Sequence, residues 1–143
     1  MRFGYVGIGL MGLPMTRRLL AEGHQVKVYD LDPHRMDEAR ASGAVPVGSP
    51  AAVCLETDAI LLNLPTDYAV EQAVFGESGV AQAIKPPQRL VDFSTISVEH
   101  GQQFASGLLA RTGCAWIDAP VSGGRPARQR GGSSDRDGGW KRA

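Results

Sequence analysis

Phe3-Gly4-Tyr5-Val6-Gly7-Ile8-Gly9-Leu10-Met11-Gly12 decides the reading of this 143-residue chain. An apolar run leads into three glycines spaced G-x-G-x-x-G, and a second apolar run, Val26-Lys27-Val28-Tyr29, stops at Asp30. That order suits a ligand with two phosphates and two riboses. A strand ends, a glycine turn brings bare backbone to a diphosphate, and a helix starts with its N–H groups facing the anion. The acid at the tip of the next strand can accept hydrogen bonds from a ribose diol. Asp30 follows Gly12 by 18 positions, near the roughly 20 expected of a dinucleotide-binding unit. Gly9 is the close-approach position, and Gly12 lets the first helix pack against the first strand.

Outward from this unit, apolar runs keep alternating with helical patterns, which predicts an α/β fold with a doubly wound, mostly parallel sheet. Strands are expected over residues 2–6, 25–30, 44–47, 59–64, 89–93 and 115–118. Residues 59–64 form the most apolar run, a central strand buried on both faces. Helices are expected over 10–22, 33–42, 50–56, 66–75 and 97–112. Met11, Met15, Leu19 and Leu20 keep helical spacing in the first, while Arg17, Arg18 and Glu22 face water. Gly23 and Gly43 read as helix stops. Asp32-Pro33 and Ser49-Pro50 read as a cap followed by proline in the first turn, and Thr66 as a further cap.

Composition narrows the function classes. A chain of this length holds one domain with a core. Formal net charge is zero, so the total gives no ground for a nucleic-acid or anionic-membrane partner. No apolar run approaches the roughly 20 residues of a membrane span. The glycines, Arg17-Arg18 and the lack of a small-x-small site argue against an export signal. Cys54 and Cys114 are the only cysteines; two isolated thiols point to small buried hydrophobes in a reduced, cytoplasmic protein. His24, His34 and His100 share no spacing with carboxylates or cysteines, so no metal site is expected.

Charge is uneven. Residues 1–124 carry nine basic and thirteen acidic side chains, and residues 125–143 carry six and two. The latter stretch has Trp140 as its one large apolar side chain. It is expected to be a disordered tail, separate from a dinucleotide-binding domain over 1–124. Its basic residues lack interleaved aromatics, so it gives no nucleic-acid motif.

Four separated segments resemble the β-hydroxyacid dehydrogenase family, which includes 3-hydroxyisobutyrate dehydrogenase, tartronate semialdehyde reductase and 6-phosphogluconate dehydrogenase. They are Gly7-Ile8-Gly9-Leu10-Met11-Gly12-Leu13-Pro14-Met15, Asn63-Leu64-Pro65, Asp92-Phe93-Ser94-Thr95-Ile96-Ser97 and Asp118-Ala119-Pro120-Val121-Ser122-Gly123-Gly124. The resemblance implies an oxidoreductase moving hydride between a nicotinamide cofactor and a small 3-hydroxyacid or semialdehyde. It implies a cofactor site over Gly7, Gly9, Leu10, Met11 and Gly12, with backbone contacts from Leu10 and Met11, and that Leu64 and Pro65 flank the cofactor's adenosine half. It further implies Thr95 beside the nicotinamide ribose and a substrate carboxylate held by Ser122, Gly123 and Gly124. Asp30 favours a free 2′-hydroxyl and repels a 2′-phosphate. NADP-preferring members place Asn-Arg-Thr where this chain has Asp30-Leu31-Asp32. NAD is therefore expected ahead of NADP.

The resemblance stops at Arg125, where the family continues with a small residue and Gly-Ala. The expected explanation for that break is a changed reading frame or a truncated product. The family's proton-donating lysine lies on a long helix leading to an all-α second domain, through which members oligomerise. Neither is expected here. Lys141, 17 positions after Gly124, sits in the expected tail and keeps an ordinary pKa with no fixed geometry for acid catalysis. No catalytic residue is therefore assigned, and the chain alone is expected to be inactive. Two alternatives stay open: a non-catalytic dinucleotide-binding module or pseudoenzyme, and imine reduction on the same scaffold, which would need an acid or tyrosine from the second domain.

Overall fold

A computed structural model describes residues 1–119. The expectations for Ser122, Gly123, Gly124 and the tail over 125–143 fall outside the described residues. Within 1–119, six strands alternate with four α-helices: β1 Arg2–Val6, α1 Gly12–Ala21, β2 Gln25–Tyr29, α2 Pro33–Ala41, β3 Val45–Pro46, β4 Ala59–Leu62, α3 Asp67–Phe75, β5 Arg89–Asp92, α4 Val98–Thr112 and β6 Trp116–Asp118. The strands form one parallel sheet in the order β3-β2-β1-β4-β5-β6. This is the doubly wound α/β arrangement expected from the alternation.

Alternation along β1 shows why both faces need covering. Tyr5 joins Val26, Val28, Ala39 and Leu61 on the face packed by α1 and α2. Val6 joins Ile60, Leu62, Leu90, Val70, Val74, Phe104 and Leu108 on the face packed by α3 and α4. Each such fully buried aliphatic side chain contributes about 1.5–3 kcal/mol relative to exposure. Cys54 and Cys114 are buried and unpaired, as small hydrophobes.

Helix starts follow the caps. Asp32 accepts from the His34 amide with Pro33 in the first turn, Thr66 from Ala69 and Ser97 from His100. Gly23 and Gly43 follow the ends of α1 and α2 with positive φ, the conformation glycine adopts most easily.

One local expectation needs correction. Residues 50–56 form a short 3-10 turn, Ala51–Cys54, with Ser49 Oγ accepting from Ala52; four residues are too few for a full α-helix to hold. A second 3-10 turn, Val80–Gln82, was not anticipated. The loops here are tied by Gln88, whose Nε2 donates to the carbonyls of Cys54 (2.6 Å) and Thr57 (2.8 Å).

Candidate functional site

Strand order places the site. The chain leaves β1 toward β2 on one side and later returns to β4 on the other. A crevice opens beyond the carboxyl ends of β1 and β4, where ligands of open α/β sheets bind. The loops after β1, β2, β4 and β5 carry Gly7–Gly12, Asp30, Leu64-Pro65 and Ser94-Thr95. All lie along the same edge of the sheet.

The glycines do different jobs. Gly7 has φ +92°, and a Cβ there would overlap the carbonyl oxygen of Asn63 after β4. A Cβ on Gly12 would overlap the Gly7 carbonyl oxygen and touch the Tyr5 ring at 3.4 Å. These two glycines are required by the protein's own backbone. Gly9 is not: the nearest atom to its would-be Cβ is Arg35 Nη1, 3.1 Å away on a half-exposed side chain. Among the described residues, the atoms nearest that bare backbone position all belong to the movable Arg35 guanidinium. Among the described residues, the amides of Gly9, Leu10 and Met11 have no protein acceptor. A diphosphate fits this cradle, since it supplies acceptors to free amides at the start of a helix.

Asp30 stands beside the cradle, with its side chain only 10% exposed. Its Oδ2 accepts from the Ile8 amide (2.9 Å) and its Oδ1 from the Asp32 amide (2.9 Å). The carboxylate therefore shapes the glycine loop before any ligand arrives. Each oxygen keeps a further lone pair for a hydroxyl donor. Arg35, one turn into α2, reaches Asp30 Oδ2 at 3.9 Å and Asp32 Oδ2 at 3.8 Å. Leu10 and Leu31 are 85% and 88% exposed at the same mouth.

On the far side, Ser94 couples two loops. Its Oγ accepts from the Leu64 amide (2.7 Å), and its amide donates to Asp92 Oδ1 (2.9 Å). Ser94 and Thr95 do not cap α4, a role that falls to Ser97. Thr95 is partly exposed beside Ser94, and Pro65 is exposed next to Leu64.

Asp92 is fully buried, and among the described residues its Oδ2 has no partner. Burial pushes its carboxyl up to about 6, against the Ser94 hydrogen bonds, with Asp118 and Asp67 adding to the rise. Burial also raises Asp118, its register partner on β6.

His100 is exposed in the first turn of α4 and binds Asp67 through Nδ1. Thirty-three positions separate them, so no sequence spacing reveals the pair. It joins the first turns of α3 and α4. Burial raises the Asp67 carboxyl, but hydrogen bonds from His100 and Ser97 outweigh it and carry the group below its usual range. The Asp67 hydrogen bond raises His100. The pair is therefore complete between these two titrations. It weakens as pH falls through the lowered Asp67 value or rises through the raised His100 value.

Among the described residues, no group of three or more His, Cys, Asp or Glu could hold a metal ion. No described helix is long and apolar enough to cross a membrane. Sequence reasoning missed Arg35 and Leu31; their only signal was proximity to Asp30 in the strand-to-helix turn.

A doubly wound sheet with this cradle and a strand-tip acid is a nicotinamide dinucleotide-binding domain in architecture. The chain belongs to the family of the NAD binding domain of 6-phosphogluconate dehydrogenase, whose family model matches residues 2–139. It is 34% identical over 128 residues to human mitochondrial 3-hydroxyisobutyrate dehydrogenase, covering 90% of this chain and 38% of that protein. It is 36% identical over 131 residues to 2-hydroxy-3-oxopropionate reductase of Escherichia coli K12, covering 92% and 44%. The structure of Mycobacterium tuberculosis 3-hydroxyisobutyrate dehydrogenase with L-serine superposes with a TM-score of 0.78 at 32% identity, covering 86% of this chain and 41% of that one. The chain thus spans about two fifths of the length of the relatives it matches.

Proposed function

We propose that this domain binds NAD as the cofactor half of an oxidoreductase acting on a small 3-hydroxyacid or its semialdehyde. The observation that carries the cofactor reading is the pairing of free amides at Gly9, Leu10 and Met11 with a carboxylate fixed on the Ile8 amide. The amides and the start of α1 hold the diphosphate; Gly7 and Gly12 keep the loop tight enough to present them. Asp30 receives the adenosine ribose hydroxyls and disfavours a 2′-phosphate, so NAD is preferred to NADP. Leu64 and Pro65 line the adenosine side, and Thr95 stands toward the nicotinamide ribose. Ser122, Gly123 and Gly124 supply a hydroxyl and unhindered amides for a substrate carboxylate. The bound cofactor supplies the hydride; the residues named here bind and orient.

The substrate class rests on the relatives, which are a 3-hydroxyisobutyrate dehydrogenase and a 2-hydroxy-3-oxopropionate reductase. Titration with NADH, followed by calorimetry, tests the cofactor reading. Saturable one-to-one binding is expected. Asp30→Asn should weaken it by about tenfold, the loss of one charge-assisted hydrogen bond. No heat of binding with folded protein overturns the reading.

A further inference from the structure

The two loops on the far side of the crevice are joined to each other on both flanks of Pro65 and Thr95. Thr95 lies between Ser94, whose Oγ accepts from the Leu64 amide at 2.7 Å, and Ser97, whose amide donates to Asp67 Oδ2 at 3.4 Å. Pro65 lies between Leu64 and Asp67, the partners in those two bonds. The Ser97 bond is long for an N–H···O contact, but His100 Nδ1 reaches the same Asp67 oxygen. The imidazole is held from behind. It stacks on the Phe104 ring, with centroids 5.6 Å apart and planes 5° from parallel. Phe104 is in turn buried against Phe75 and Trp116. A ring braced in this way presents Nδ1 to Asp67 with little side-chain freedom left to lose.

We propose that Asp67 and His100 are positioning residues for the dinucleotide, holding the Leu64-Pro65 and Ser94-Thr95 loops at one spacing across the crevice. The proposal rests on the dinucleotide reading above and deepens it, since the pair acts through Pro65 and Thr95. The inner bond, from the Leu64 amide to Ser94, is neutral and does not titrate. The outer one joins a carboxylate to an imidazole, so its strength depends on a proton. With His100 charged it is a charge-assisted bond, roughly twice as strong as a neutral one. The Asp67 hydrogen bond raises His100, and the charges of Asp67, of Glu99 on α4 and of Glu71 on α3 add to the rise. Asp92 at the end of β5 feels Asp118 on β6 and Asp67. Among the described residues, these other charged groups are all acids, and each favours the proton on His100. As pH rises through the raised His100 value, that charge is lost and only a neutral hydrogen bond joins the loops on this side. Dinucleotide affinity should therefore be greatest with His100 charged and decline above its titration.

The test measures NADH affinity of the whole chain from about pH 6 to about pH 9, in wild type, His100→Asn and His100→Ala. Asn keeps a donor near the Nδ1 position without a titrating proton. At the lower end wild type should bind about threefold more tightly than His100→Asn, and at the upper end the two should match. Asp92 is present in both, so its own titration cancels in that ratio. His100→Ala removes the tie and should bind about threefold more weakly than His100→Asn throughout. Coupling between sites is reciprocal, so saturating NADH should move the NMR titration midpoint of His100 upward by about half a pH unit. That measurement needs no substitution and stands even where a variant folds poorly. A ratio of wild type to His100→Asn that stays constant with pH overturns the proposal. So does a His100 midpoint unmoved by NADH, or an Asn variant no better than Ala. Folded wild type that binds no NADH at any pH overturns the dinucleotide reading itself, and is distinguished by that.

Discussion

Gly7→Ala should destabilise the domain by on the order of 4 kcal/mol and abolish dinucleotide binding. Two costs combine at this position. The backbone lies at φ +92°, where an L side chain is strained by about 1–3 kcal/mol. The added methyl also overlaps the Asn63 carbonyl oxygen, which is backbone and cannot swing aside. Asn63 is itself tied to β1 through its amide, which donates to the Val6 carbonyl at 3.0 Å. Relief therefore requires prising the β1 and β4 loops apart at the crevice. That opens the cradle and moves the Gly9, Leu10 and Met11 amides together. Thermal melts and NADH titration check the result. Gly48→Ala is the control: no atom lies within 4 Å of its would-be Cβ, so it should melt within a degree or two of wild type. A Gly7→Ala protein that melts and binds like wild type would contradict the geometry.

Asp92→Asn should act in the opposite direction and raise stability at neutral pH. The Asp92 carboxyl titrates at about 6 when folded, against a usual value of 3.8. Its folded pKa is therefore raised. Below about pH 4 both states carry the proton, and the group is neutral in its effect. Between 4 and 6 the unfolded chain ionises first, so stability falls as pH rises. Above 6 the full penalty is present, about 3 kcal/mol for a shift of this size. An amide of the same shape removes the charge while its oxygen still accepts from Ser94. Urea midpoints from pH 4 to 8 should slope downward in wild type and flatten in the variant. Identical pH slopes for the two proteins would show that Oδ2 is solvated or paired.

The fold was legible because its signals are local. Strand alternation, the Asp32-Pro33 and Thr66 starts, and the Gly23 and Gly43 stops depend on neighbours within a few residues. The expected strands were recovered with ends shifted by one or two positions, as fraying predicts. The Ala51–Cys54 turn was misjudged because a proline-led cap looks alike whether the following turn is 3-10 or α. In the site, the glycine loop, Asp30, Leu64-Pro65 and Ser94-Thr95 could be placed on one edge from strand ends alone. The long-range contacts could not. Arg35 over Gly9, His100 on Asp67 and the orphaned oxygen of Asp92 are products of tertiary packing. They join residues 26 and 33 positions apart, or leave a buried oxygen with no partner among the described residues. Ser94 shows the same limit. Its position past β5 was readable, but not its bond to the Leu64 amide thirty positions earlier.

The bond from the Ile8 amide to Asp30 has a kinetic signature. A turn already held by its own carboxylate does not order itself when the ligand docks, so little backbone entropy is lost on association. In hydrogen–deuterium exchange, Ile8 and Asp32 should be slow both with and without NADH. The neighbouring amides of Gly9, Leu10 and Met11 should pass from fast to slow. Protection would then be gained at three amides beside one already ordered, rather than by the whole turn at once.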